Sequence, residues 1–180
     1  MKSVKVFDKT FVPYIEHDEL MELIDTVADQ INEDYKDEVD VPIVLCVLNG
    51  AIMFTSEILK RLNFPLELMS VKIKSYVGDK STGVMQEAMG LTGRVEGRRV
   101  IIVEDIVDTG NTMVFLKDLL AKKGAKDSRI CTMLFKPDAF VQDIKIDYIA
   151  KSIPNKFILG FGLDYNELGR NLRDIYILDK

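Results

Sequence analysis

Three carboxylates and a run of small polar residues follow one another closely in the middle of the chain. The apolar run 100–103 predicts a buried strand, and Glu104 and Asp105 come directly after it. Asp108 lies three residues further on, and residues 109–112, Thr-Gly-Asn-Thr, lead into a predicted helix. Small residues let backbone N–H groups point at an anion, hydroxyl groups add donors, and the helix dipole favours negative charge. The segment therefore predicts a phosphate cradle.

Acidic side chains beside a phosphate cradle are unfavourable unless they face a neutral or cationic group. Ribose hydroxyls, a protonating base and Mg²⁺ all meet that condition. The alternative is an ordinary strand end followed by an ordinary helix cap. Because a buried strand, three acids and a small-residue cradle occur together within 13 residues, we favour the functional interpretation.

Hydrophobic periodicity predicts strands that alternate with helices. Apolar residues at helical spacing predict helices near residues 18–35, 52–62 and 112–123. The alternation predicts an α/β fold with a mainly parallel, twisted sheet flanked by helices, and ligands bind at the carboxyl ends of the strands in such sheets. The predicted strands lie near residues 41–48, 67–74, 84–89, 99–103, 129–135, 148–150, 157–160 and 175–178.

Composition excludes several classes of protein. The sequence has 180 residues, a net charge of −5 and an apolar fraction of 47%, which suits one globular domain. We expect no membrane span, no signal peptide and no nucleic-acid partner, since long apolar runs and a basic surplus are both missing from the sequence. Cys46 and Cys131 lie in apolar runs, which predicts buried thiols and a cytoplasmic location. With His17 as the single histidine, acid/base work falls to Asp, Glu, Lys or Tyr.

The segment 100–112 resembles the phosphoribosyl-pyrophosphate signature of the type I phosphoribosyltransferases. Residues 45–50, 74–76, 136–137 and 153–167 are similar, in order and spacing, to the hypoxanthine-guanine phosphoribosyltransferase family. The resemblance runs from about residue 10 to the end of the sequence. It implies one domain over 1–180, with a core at about 36–150 and a small hood from about 1–16 and 151–180. It also implies a homodimer or a homotetramer.

For this family the implied reaction is displacement of pyrophosphate from C1 of phosphoribosyl pyrophosphate by a purine nitrogen, giving IMP or GMP. Glu104 and Asp105 would bind the ribose hydroxyls, and Asp108 would be the general acid/base beside purine N7. Mg²⁺ would neutralise the leaving pyrophosphate, with Glu104, Asp105 and Asp164 as its candidate ligands. The cradle that would hold the 5-phosphate consists of Asp108, Thr109, Gly110, Asn111 and Thr112.

Five residues would bind the purine by the same resemblance. Lys136 would donate to the 6-oxo group, which favours hypoxanthine and guanine over adenine and leaves xanthine open. Phe157 would stack on the ring and the backbone of Ile158 would contact the base edge, while Leu163 and Asp164 would form the pocket for the exocyclic group. A surface lysine and core packing of Phe157 and Ile158 are the structural alternatives.

The remaining implied residues lie on the pyrophosphate side and in a lid. Asn49 and Gly50 correspond to the family's pyrophosphate loop, which carries a cis peptide, and Arg170 would reach the pyrophosphate unless it is a solvated surface residue. Asn49 stands where many relatives have lysine, so one cation is missing from the pyrophosphate side or from the subunit interface. Ser75 and Tyr76 open a polar loop that the family uses as a lid; a plain hairpin tip is the alternative.

Other classes of function fit the sequence less well. A regulator that binds phosphoribosyl pyrophosphate without catalysis would have no need of Asp108, Lys136, Phe157 and Asp164, yet all four are present. A phosphoacceptor receiver domain would place its acidic pair near the first strand, whereas here the pair lies at 104–105. A P-loop is excluded because the sequence contains no G-x-x-x-x-G-K-[ST].

Overall fold

The computed structural model describes residues 2–75, 85–91 and 93–179. In chain order the elements are β1 (Val4–Val6), β2 (Lys9–Ile15), α1 (His17–Tyr35), β3 (Ile43–Leu48), α2 (Ile52–Leu59), β4 (Glu67–Ser75), β5 (Met85–Met89), β6 (Arg99–Val107), α3 (Asn111–Lys122), β7 (Asp127–Phe135), β8 (Tyr148–Ser152), β9 (Ile158–Leu159) and β10 (Ile175–Leu178).

A six-stranded sheet forms the centre of the molecule, in the order β5-β4-β3-β6-β7-β8. Strands β4, β3, β6, β7 and β8 are parallel, and β5 is antiparallel to β4 at the edge. The predicted α/β fold with a mainly parallel sheet is confirmed. Because the five parallel strands share one direction, their carboxyl ends meet at one edge of the sheet.

Alternate side chains of the central strands point to opposite faces of the sheet, and each face is covered by helices. On one face, α1 and α2 pack against residues such as Val44 and Ile101. On the other face, α3 packs against residues such as Leu45 and Ile102. Strands buried on both faces explain the nearly continuous apolar runs in the sequence.

Strand β6 is longer than the sequence predicts. It continues past Val103 and pairs with β7 as far as Val107 opposite Phe135. Glu104 and Asp105 therefore lie inside the strand, whereas the sequence placed them just after its end. The reason is that Val107 supplies another buried apolar side chain, so the strand pattern resumes beyond the acidic pair.

A second, antiparallel sheet in the order β1-β2-β10-β9 forms the predicted hood. The N-terminal strands β1 and β2 join through the two-residue turn Phe7–Asp8, since Val6 lies opposite Lys9. β10 then pairs with both β2 and β9. No helix among the described residues is long and apolar enough to cross a membrane.

Candidate active site

Three loops meet at the carboxyl edge of the central sheet. A Cβ atom added to Gly50, just after β3, would lie 1.8 Å from the Asp105 carboxylate of β6. A Cβ atom added to Gly162 would lie 2.0 Å from the Gly50 carbonyl oxygen. Only glycine allows the backbone to approach this closely. Gly50 of the candidate pyrophosphate loop is therefore in direct contact with the acidic pair. It is also in contact with the loop between β9 and β10, called the C-terminal loop below.

The C-terminal loop, which contacts the candidate pyrophosphate loop through Gly162, also holds the cation Arg170. Arg170 forms an ion pair of 2.5 Å with Asp164 and donates a hydrogen bond of 2.8 Å to the Gly162 carbonyl oxygen. These contacts orient the guanidinium, which is only partly exposed, and a freely solvated arginine is not what the structure shows. The Leu48–Asn49 peptide is cis, as the resemblance implied.

The two adjacent carboxyl groups of β6 perturb each other. Burial raises the pKa of Glu104 well above its ordinary value, and the neighbouring Asp105 carboxylate raises it further. Burial also raises the pKa of Asp105, although hydrogen bonds from Glu104 and the Ile106 amide, together with the Arg170 charge, oppose that rise. The pair presents several carboxyl oxygens side by side, and such oxygens can accept hydrogen bonds from a diol.

The predicted phosphate cradle connects β6 to α3 and encloses a small cavity. Gly110 is the N-cap of α3 and has a φ of 86°, a left-handed conformation that favours glycine. Residues 106–113 and Glu104 line a cavity of about 100 Å³ here. The cradle residues Asp108, Thr109, Gly110, Asn111 and Thr112 all lie in this cavity wall, so the structure brings the predicted set together.

The segment after Lys136 forms an outer wall of the cradle that the sequence did not reveal. The Gln142 side-chain amide donates a hydrogen bond of 2.6 Å to Asn111 Oδ1. A Cβ atom added to Gly110 would lie 2.5 Å from Cε2 of the Phe140 ring. Neither residue belongs to a motif, and their only sequence signal is their position a few residues beyond a strand end.

Lys136 and Asp108 meet across the ends of the neighbouring strands β7 and β6. The Lys136 Nζ atom lies 3.1 Å from Asp108 Oδ2, and the Lys136 backbone N–H donates to the Val107 carbonyl oxygen. Lys136 is 8% exposed, so it is not the surface lysine of the structural alternative. The pair places an ammonium donor beside a carboxylate acceptor at the mouth of the cradle.

The predicted purine-binding residues outside the central sheet lie at strand β9 of the hood and in the C-terminal loop between β9 and β10. Phe157 is 43% exposed and precedes β9, so one part of its ring is free to contact a ligand. Ile158 and Leu163 are buried. Ile158 pairs with Ile177 of β10, and the backbone N–H and carbonyl of Leu163 are both hydrogen-bonded to Gly160. Of the predicted lid, Ser75 is the last residue of β4, and Tyr76 lies outside the described residues.

Three further observations concern the described residues around the site. Among the described residues, no three His, Cys, Asp or Glu side chains converge as a metal site. A larger groove of about 650 Å³, lined by Cys46, Leu48 and neighbouring residues of α2 and β4, contains none of the predicted site residues. Cys46 and Cys131 are free and buried.

Comparisons with known proteins agree with this geometry. The family described as Phosphoribosyl transferase domain matches residues 14–166. The chain is 37% identical to a hypoxanthine-guanine phosphoribosyltransferase from Streptococcus thermophilus (strain CNRZ 1066), over 84% of this chain and 84% of that protein. It is also 37% identical to one from Streptococcus pneumoniae (strain R6), over 91% of each. A solved hypoxanthine phosphoribosyltransferase from Staphylococcus aureus superposes with a TM-score of 0.86 at 32% identity, covering 93% of this chain and 90% of that one.

The parallel sheet, the hood and the cradle between β6 and α3 define a phosphoribosyltransferase of type I fold. With relatives of this similarity over most of its length, the chain belongs to the hypoxanthine-guanine phosphoribosyltransferase family. The family assignment made from the sequence motifs is thereby confirmed.

Proposed function

We propose that the protein transfers the 5-phosphoribosyl group of phosphoribosyl pyrophosphate to hypoxanthine or guanine, forming IMP or GMP and releasing pyrophosphate. This is a purine salvage reaction. The C1–oxygen bond to pyrophosphate breaks, the bond from purine N9 to C1 forms, and the base loses one proton. The roles below are proposals for the residues of this chain.

The pairing of Lys136 with Asp108 is the observation that carries the choice of base. The 6-oxo oxygen and N7 lie side by side on one edge of a hypoxanthine or guanine ring. The Lys136 ammonium and the Asp108 carboxylate also lie side by side, 3.1 Å apart. Lys136 would donate to the oxo group while Asp108 accepts the N7 proton. In adenine the corresponding group is an amino donor, which the ammonium rejects.

Asp108 would act as the general base. When the bound purine carries its proton at N7, the N9 lone pair is free to attack C1. Asp108 would accept the N7 proton as the new bond forms, and general-base assistance of this kind contributes about 10²–10⁴-fold in rate. The same carboxylate is placed to return the proton in the reverse reaction.

Most of the other predicted site residues would bind phosphoribosyl pyrophosphate, and Phe157 would bind the base. Glu104 and Asp105 would hold the two ribose hydroxyls, and the backbone amides and hydroxyls of the cradle would hold the 5-phosphate at the N-terminus of α3. Arg170, with the backbone of Asn49 and Gly50, would face the pyrophosphate. Phe157 would stack on the purine, and a base–aromatic stack is worth about 1–3 kcal/mol.

The donor set also fits Mg²⁺. This ion is commonly held by one or two carboxylates together with phosphate oxygens of the substrate, so a cluster of three protein ligands is not required. Asp105 is a carboxylate at the pyrophosphate loop, and Asp164 lies beside Arg170. When bound, Mg²⁺ supplies charge neutralisation for the departing pyrophosphate.

Three expectations about the protein's setting accompany this function. The free, buried thiols Cys46 and Cys131 support a cytoplasmic location. The resemblance supports a homodimer or homotetramer, which light scattering on the purified protein would test. The lid, represented by Ser75 and Tyr76, would exclude water from the reacting C1.

An ultraviolet assay tests the proposed reaction. Purified protein is mixed with phosphoribosyl pyrophosphate and Mg²⁺, and hypoxanthine, guanine, xanthine and adenine are supplied separately. We expect turnover with hypoxanthine or guanine and none with adenine. Binding of phosphoribosyl pyrophosphate without turnover of any base would instead indicate a regulator, and Asn49 would be the first position to exchange, for lysine.

A further inference from the structure

The exposed part of the hood contains a cluster of aromatic rings centred on Tyr165. The Tyr165 ring meets the Phe157 ring edge to face, with centroids 5.7 Å apart and an interplanar angle of 82°. On another side it meets the ring of Phe7 at 5.9 Å, again at 82°. Phe7 belongs to the turn between β1 and β2. Tyr165 thus lies between the tip of the N-terminal hairpin and the ring expected to stack on the base.

Two polar contacts fix Tyr165 to the same hairpin tip. Its hydroxyl donates a hydrogen bond of 2.9 Å to Asp8 Oδ1, and this contact holds the pKa of Asp8 below its ordinary value. The Lys9 ammonium lies 5.3 Å from the Tyr165 ring centroid, within the range of a cation–π contact. Consecutive residues 7–9 therefore each contact Tyr165.

The backbone of the turn adopts a costly conformation that keeps Phe7 in this place. Phe7 has a φ of 53°, in the left-handed region where a residue with a Cβ atom is disfavoured. Two-residue hairpin turns usually place Gly, Asn or Asp at such a position. Phe7 is 56% exposed, so burial of its ring explains little of this choice. The strained turn places the Phe7 ring in contact with the Tyr165 ring.

We propose that the hairpin tip, residues Phe7–Lys9, is a positioning element for the purine, which acts by holding the Tyr165 ring in its edge-to-face contact with the Phe157 ring. The inference rests on the proposed function, because Phe157 is there the ring that stacks on the base. None of the three tip residues touches the base. They limit the orientations of the Phe157 ring, whose other neighbour is the fully buried Phe11 at 6.0 Å. A preorganised ring binds the base without first being ordered.

The test separates the base from the sugar phosphate. Dissociation constants of GMP and of ribose 5-phosphate are measured by calorimetry, and their ratio isolates the contribution of the base. We expect Tyr165→Leu to weaken GMP binding about two- to tenfold, the size that the loss of one edge-to-face ring pair gives. Ribose 5-phosphate binding should stay unchanged.

A second variant, in the turn, tests the same role without unfolding the hairpin. Phe7→Gly relieves the left-handed conformation while adding chain entropy, and these opposing effects are of similar size. The hairpin should therefore persist, with a melting temperature close to that of the parent. The ratio of GMP to ribose 5-phosphate affinity should nevertheless fall by about twofold or more. Tyr14→Phe, on β2 but outside the cluster, is the matched control and should leave the ratio unchanged.

The outcomes distinguish this inference from the proposed function. If both variants keep the parental ratio while the parent binds GMP more tightly than ribose 5-phosphate, the positioning role is wrong and the function stands. If the parent itself binds both ligands equally, the base site is wrong and the proposed function fails with it. Equal weakening of both ligands would show general damage and would also overturn the positioning role.

Discussion

Replacement of Gly50 by alanine tests how closely the pyrophosphate loop approaches the acidic pair. The new Cβ atom would lie 1.8 Å from Asp105 Oδ2, whereas ordinary contact begins at 3.4 Å, so the two atoms must separate by about 1.6 Å. Either the loop withdraws or the carboxylate turns, and in the second case the hydrogen bond from the Ile106 amide to Asp105 Oδ1, 3.0 Å long, is lost. Both responses displace a group that we expect to hold phosphoribosyl pyrophosphate.

The expected loss of activity follows from that displacement. A misplacement of about 1 Å costs about 10²-fold in rate, so we expect kcat/KM for phosphoribosyl pyrophosphate to fall at least about 100-fold. Overpacking of this kind costs about 1–3 kcal/mol of folding free energy. At about 2–4 °C per kcal/mol for a chain of this size, the melting temperature falls by about 2–12 °C. Activity should therefore be lost at temperatures where the variant is still folded.

The chain offers a matched control for this prediction. A Cβ atom added to Gly93 would lie 2.1 Å from the Met69 Cε atom, a comparable overlap, but with the flexible end of a core side chain. Gly93→Ala should keep kcat/KM within about twofold of the parent, because methionine readily adopts another conformation. Steady-state kinetics and thermal melts of both variants decide the question. Parental kcat/KM in Gly50→Ala, or equal losses in the two variants, would show that the close approach of Gly50 to Asp105 does not position the site.

Three further perturbations address the carboxylates and the lysine. Asp108→Asn should lower kcat by about 10²–10⁴-fold with little change in KM for phosphoribosyl pyrophosphate, and an unchanged kcat in steady-state assays would remove Asp108 from the acid/base role. Lys136→Ala should lower the ratio of hypoxanthine to adenine kcat/KM by at least about tenfold; retained discrimination would contradict the assignment. Burial and the neighbouring Asp105 raise the pKa of Glu104 in the folded state above its ordinary 4.5. Between the ordinary and the raised pKa, the folded chain therefore keeps a proton that the unfolded chain loses. The free energy of unfolding consequently falls as pH rises through the raised pKa. Glu104→Gln should flatten this fall in melts from about pH 5 to about pH 8 while weakening substrate binding, and an identical pH slope in the variant would argue against a buried, proton-holding Glu104.

The local parts of the site were predictable from the sequence because their determinants are consecutive. A strand that is apolar on both faces followed by acids, then by Thr-Gly-Asn-Thr and a helix, specifies a cradle at a strand end without knowledge of any partner. The strand boundary was predicted less well, since Glu104 and Asp105 interrupt an apolar pattern that Val107 resumes. The residue types alone do not show that β7 continues to pair with β6 beyond Glu104 and Asp105.

Contacts between distant residues were decided by the tertiary structure. Asp108 and Lys136 are 28 residues apart and form an ion pair only because β6 and β7 are parallel neighbours that end together. Tyr165 and Asp8 are 157 residues apart and meet because β10 pairs with β2 in the hood.

Residue patterns alone were enough to predict the fold class and the cradle, and the resemblance was enough to predict the family. Hydrophobic periodicity and turns of small residues each involve residues that are close together in sequence, so both can be recognised from one sequence. Only the folded chain shows that Gly50 packs against Asp105 and that Arg170 is paired with Asp164. The same holds for Tyr165, which contacts both the hairpin tip and Phe157. Such contacts depend on strand order and on the path of whole loops, which no short stretch of sequence specifies.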